Sequence, residues 1–70
     1  MPRTLIRVDG SVAAQVEEAL ADRFAHLAVR TDAPTTVLTG RVEDPEELGD
    51  TLGRLTALGV GVLEVVWVPA

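Results

Sequence analysis

Seventy residues allow a single domain, 1–70, that buries only about 60% of the surface its unfolded chain exposes, so the core is thin and self-association is a natural source of added stability. The net charge of −5, with six scattered arginines and no lysine, works against nucleic-acid binding, which needs clustered cations to release phosphate counterions. The absence of cysteine excludes disulfides, thiolate metal sites and thiol nucleophiles.

Residues 4–9 read as a strand, since Ile6 and Val8 alternate with Leu5, Arg7 and Asp9 in a period of two. Asp9-Gly10 breaks it, and Ser11 is placed to cap a helix in which Val12, Val16, Leu20 and Phe24 fall four apart, with Leu27 three further on. Residues 27–31 form a short edge strand. The Asp32-Ala33-Pro34-Thr35 turn then reverses the chain into a strand over 36–42. The second helix carries the clearest start signal: Asp44 at the N-cap, Pro45 at the first helical position, where a missing N–H costs nothing, and Glu47 completing a capping-box pattern. Leu48, Leu52, Leu55 and Leu58 supply its buried stripe, Asp50 and Arg54 are spaced to pair, and Gly59 suits the left-handed stop. Gly49 and Gly53 lie inside this helix, each at a cost of about 0.5–1 kcal/mol relative to alanine, and suggest a close approach by another element. A Val-rich strand over 60–68 follows.

No apolar run reaches the roughly 18 residues of a membrane span, and the first residues lack the apolar core of an export signal. The expectation is a cytoplasmic protein without a membrane role. The arginine, alanine, valine and glycine bias suggests a GC-rich bacterium.

The order βαββαβ predicts an α+β, ferredoxin-like fold: a four-stranded antiparallel sheet of order 4-1-3-2 with two helices on one face. The other face is then open. With Ile6, Val8, Leu38, Leu63, Val65 and Trp67 under the helices, alternation leaves Leu5, Arg7, Val37, Thr39, Arg41, Val62, Glu64, Val66 and Val68 on the open side. That is an apolar patch with a charged border, the composition of an interface, and it predicts a homodimer packed sheet to sheet.

The stretch from Thr35 through Leu48, followed by Leu52, Leu55, Leu58-Gly59 and the Val-rich strand, resembles a set of small uncharacterised bacterial proteins in which a Thr-Thr-Val-Leu-Thr-Gly strand precedes an Asp-containing helix start and a helix stopped by Leu-Gly. The likeness covers residues 35–68 and implies the fold without an activity. Val37-Leu38-Thr39-Gly40-Arg41-Val42 is also similar to a pattern of BON domains, which implies attachment to membrane or polymer surfaces, although those usually carry an export signal. Gly10 beside the βαββαβ order resembles ACT domains and implies regulatory binding of an amino acid at a dimer interface; the proline expected before that glycine is missing.

Catalytic signals are few. His26 is the sole imidazole, and a lone histidine near a helix end is more often a cap or a surface group; its functional alternative is the base of a dimeric α+β barrel enzyme, aided by Arg23 or Asp22. Glu43, Asp44, Glu46 and Glu47 lack the rhythm of a calcium loop and suit the helix dipole. Gly10 and Ser11 form the less hostile anion site, at the first helix start. No phosphate loop, nucleophile elbow or metal-binding histidine pair occurs, so neither metal nor cofactor is expected. The reading is a non-catalytic accessory or interaction module, a homodimer with room for another protein partner; the alternative is an ACT-like amino-acid sensor with its ligand at Gly10 and Ser11, and the enzyme ranks last.

Overall fold

The computed structural model describes residues 3–21 and 27–68. Strand β1 (Arg3–Asp9) alternates as expected, with Thr4, Ile6 and Val8 buried and Leu5 and Arg7 half-buried on the opposite side. It is followed by helix α1 (Ala13–Leu20), strands β2 (Ala28–Asp32) and β3 (Thr35–Gly40), helix α2 (Pro45–Ala57) and strand β4 (Val62–Val68). The four strands form one antiparallel sheet in the order β2-β3-β1-β4, which read from the other edge is the predicted 4-1-3-2. Both helices cover one face, where Val16 and Leu20 of α1 and Leu55 of α2 pack on Ile6, Val8 and Leu38. Val42 lies beyond the end of β3 yet is fully buried in the same cluster.

Helix α2 begins as its residues dictate: Glu47 N–H donates to Asp44 Oδ1 at 2.7 Å, Pro45 occupies the first turn, and Gly59 ends the segment at φ +81°. Its inward stripe differs from the leucine pattern. Thr51 and Leu55 are fully buried, Leu48 and Leu52 half-buried, and Leu58 is exposed at the end of the helix. Thr51 enters the core without leaving a stranded hydroxyl, because its Oγ1 donates to Glu47 O one turn back at 2.9 Å. Arg54 pairs with Asp50 at 3.8 Å and donates from Nη1 to Ala19 O at 2.9 Å, tying α2 to α1.

The start of α1 corrects the expectation of a Ser11 cap. Val12 stands at the N-cap position and no side chain of its own segment caps the helix. The service comes from β3: Thr36 Oγ1 accepts the Val12 N–H at 2.9 Å and donates to Gly10 O at 2.7 Å. Gly10, at φ +94°, adopts the left-handed turn that lets its carbonyl and the Val12 N–H converge on one hydroxyl. Thr36 is fully buried, so the contact is dry.

Two further expectations fail at specific places. A β-carbon at Gly49 or Gly53 would meet nothing within 4 Å, so no close approach requires either glycine. In β4, the register shifts between Arg7 and Val8: Arg7 pairs with Glu64 but Val8 pairs with Val62, making Leu63 an extra residue. Val62 therefore lies opposite core-facing Val8 instead of continuing the alternation of Glu64, Val66 and Val68. Leu63 and Val65, expected under the helices, are 57% and 41% exposed, because β4 is an edge strand outside the strip formed by Ile6, Val8 and Leu38 on which the helices pack. His26 and Phe24, with Asp22 and Arg23, fall outside the described residues.

Two stability changes follow. Gly49→Ala and Gly53→Ala should each raise the unfolding free energy by about 0.5–1 kcal/mol in urea titration. Thr36→Val should lower it by about 1–3 kcal/mol by leaving a buried N–H and carbonyl unpaired, and an unchanged midpoint would remove Thr36 as the cap of α1.

Candidate functional site

The face of the sheet away from the helices is built by alternation. Pairing sets Arg7 between Val37 of β3 and Glu64 of β4, and Leu5 between Thr39 and Val66. Arg30 of β2 lies on the far side of Val37. The aliphatic side chains on this face do not share one fate. Val37 is fully buried by its neighbours in the sheet and adds nothing to the accessible patch. Val66 and Val68 remain 45% and 50% exposed, with Leu5 half-buried beside them, so the apolar surface concentrates at the β1–β4 end.

Arg7 organises the middle of this face. Its Nη1 donates to Asp32 Oδ2 at 3.0 Å and to Thr35 Oγ1 at 2.9 Å, and its Nε donates to Glu64 Oε1 at 3.4 Å. Thr35 Oγ1 passes the chain on by donating to Asp32 O at 2.7 Å, which locks the β2–β3 turn. One guanidinium thus ties the free edge of β4 to the hairpin at the far side of the sheet. Asp32 first, and Glu64 after it, raise the Arg7 pKa above its ordinary value, against an opposing loss of hydration. A raised pKa on a cation means that its contribution is complete below the ordinary guanidinium range and is lost only above it.

Beyond Leu5 the face dips into a depression of about 710 Å³, floored by Leu5, Val66 and Val68 and bordered by Thr39, Arg3 and Arg41. Of the residues named from sequence, the structure brings Leu5, Thr39, Arg41, Val66 and Val68 to this depression and Arg7 and Glu64 to the adjoining network. Arg3 was missed, although the period of two that assigns Leu5 and Arg7 to the open face assigns it as well. Asp32 and Thr35 were also missed as partners of Arg7, since only the hairpin register carries them there.

Gly10 and Ser11 lie apart from this face, at the α1 turn. The Gly10 N–H donates to Pro34 O at 2.9 Å and the Val12 N–H is held by Thr36, so both flanking donors are already engaged. Among the described residues, no group of three or more histidine, cysteine, aspartate or glutamate side chains is arranged to hold a metal ion, and no helix is long and apolar enough to cross a membrane.

Arg7→Met should accelerate amide exchange in β4 and at the turn between Asp32 and Thr35 while leaving the β1–β3 ladder protected. The stability lost should be the same from neutral to mildly alkaline pH and should shrink as salt rises. Exchange unchanged from wild type in β4 and at the turn would show that Arg7 does not tie them.

Neither a curated protein nor a solved structure matches the chain. A domain of unknown function (DUF8691) matches residues 3–66, which takes in all of β1 to β3, both helices and most of β4. The βαββαβ chain with its four-stranded 4-1-3-2 sheet belongs to the DUF8691 family.

Proposed function

We propose that this chain is a non-catalytic interaction module that self-associates through the open face of its sheet, forming a homodimer. The observation that carries this reading is the exposure of Val66 and Val68 beside Leu5, with Glu64, Arg3 and Arg41 at the border. An apolar centre with a polar rim is the composition that distinguishes an interface core from ordinary surface. The small size of the domain adds a motive, because covering these side chains supplies apolar burial that the single copy lacks. A twofold arrangement would set the same patch against itself.

The alternative of an amino-acid sensor centred on Gly10 and Ser11 has weaker support, since the Gly10 and Val12 N–H groups are bonded within the chain. Among the described residues the polar groups of the open face are arginines, threonines and carboxylates, of which Arg7, Asp32, Thr35 and Glu64 are engaged with one another.

Sedimentation equilibrium over a range of protein concentrations tests the reading, with Val66→Glu as the variant. Because Val66 is already partly in water, the variant should keep its fold, which far-UV circular dichroism would check. Wild-type protein should pass from monomer to dimer as concentration rises, and Val66→Glu should remain monomeric. A wild-type monomer throughout, or a dimer indifferent to Val66→Glu, would overturn self-association through this face.

A further inference from the structure

Arginine is in demand on an acidic chain, and its uses here are unequal. Eleven carboxylates compete for six guanidinium groups. Arg7 and Arg54 are committed to carboxylates of their own chain. Arg3 and Arg41 make no ion pair or side-chain hydrogen bond with the described residues, and both border the depression floored by Leu5, Val66 and Val68. Arg3 enters from β1, where it pairs with Val68, and Arg41 from the residue that follows β3. Two cations without an ion pair among the described residues, one on β1 and one just past β3, therefore border one aliphatic surface.

We propose that this depression binds a linear aliphatic carboxylate, its anionic head between Arg3 and Arg41 and its tail along Leu5, Val66 and Val68. Guanidinium groups present planar donor forks matched to a carboxylate, and a charge-assisted pair of this kind is stronger and more directional than a neutral hydrogen bond. The rest of the lining selects for the tail. Among the described residues its only polar side chains apart from the arginines are those of Thr4, which is buried, and Thr39, which is half-buried, so a sugar phosphate or a nucleotide would leave most of its hydroxyls and ring nitrogens unpaired. An alkyl chain asks for no partners. A volume of about 710 Å³ is within the roughly 300–1,000 Å³ usual for small-molecule sites. The depression shares Leu5, Val66 and Val68 with the proposed self-interface, so a dimer through this face would cover it, and binding is therefore read on the monomer.

The molecule contains its own reporter. Trp67 is the sole tryptophan, sits on β4 between Val66 and Val68, and pairs across the sheet with Thr4. Its Nε1 donates to Val42 O at 2.8 Å, the carbonyl next in sequence to Arg41. A ligand drawing Arg41 inward would act on that bond and on the indole emission.

The experiment titrates Trp67 fluorescence, with calorimetry in parallel, using octanoate, octanol and propionate at protein concentrations where sedimentation shows monomer. Octanoate should give a saturable change. Octanol, lacking the charge, and propionate, lacking the tail, should each bind about tenfold more weakly or worse, and Arg3→Gln with Arg41→Gln should weaken octanoate by a similar factor while leaving octanol unaffected. Both arginines are exposed, so the variants should fold, with circular dichroism as the control. Equal binding of octanoate and octanol, or full affinity in the double variant, would reduce the depression to an unspecific apolar patch and overturn the proposal. So would silence towards octanoate, including silence accompanied by adhesion to phosphatidylglycerol vesicles, which would assign the patch to a lipid surface.

Discussion

Strand β1 is hydrogen-bonded along both edges, to β3 on one side and β4 on the other, and its pleat decides what every neighbouring residue can do. Ile6 and Val8 define the floor on which the helices rest, and Leu5 and Arg7 are thereby committed to the opposite face. A one-residue slip of this strand would exchange the two sets and leave a guanidinium beneath the helices. The two faces then solve different problems. The covered face holds the continuous cluster from Ile6 through Leu55. The open face is held together in its middle by one cation with three acceptors, and leaves its aliphatic surface at one end.

The parts of this fold that could be read from sequence are those determined by near neighbours. Asp44, Pro45 and Glu47 act on each other within one turn, so the start of α2 was visible, and so was the alternation of Ile6 and Val8. Contacts between distant residues were hidden. The cap of α1 is a threonine 24 positions away, and nothing near Val12 announces it. The buried state of Val37 depends on flanking strands, whereas its own segment reads as one more exposed valine. The bulge at Leu63 is likewise a property of pairing: the local run of valines continues unbroken, and only the register with Arg7 and Val8 reveals the extra residue. The leucine count of α2 misled for a related reason, since Thr51 can be buried once its hydroxyl turns back to Glu47 O, and Leu58 falls where the helix is ending.

For the candidate site, the consequence is a division of labour along β1. The same alternating set contains Arg3, Leu5 and Arg7, and each meets a different environment because its cross-strand neighbours differ. Arg7 finds carboxylates and becomes structural. Arg3 finds Val68 and the edge of a depression and has no ion pair among the described residues. A chain of negative net charge that leaves guanidinium groups unpaired beside aliphatic surface creates a local region of opposite sign, and such a region attracts anions and acidic partners more than the average field of the molecule would.

The outer edge of β4 carries a further implication. A seven-residue strand with one charged side chain and an unpaired row of backbone donors and acceptors is the kind of template on which chains stack into fibrils. Here the bulge interrupts it. A strand added in phase with residues 64–68 would be out of phase at Val62, so ordered growth along this edge is confined to a short stretch. The irregularity that spoils the simple alternation of β4 is thus also a brake on runaway polymerisation.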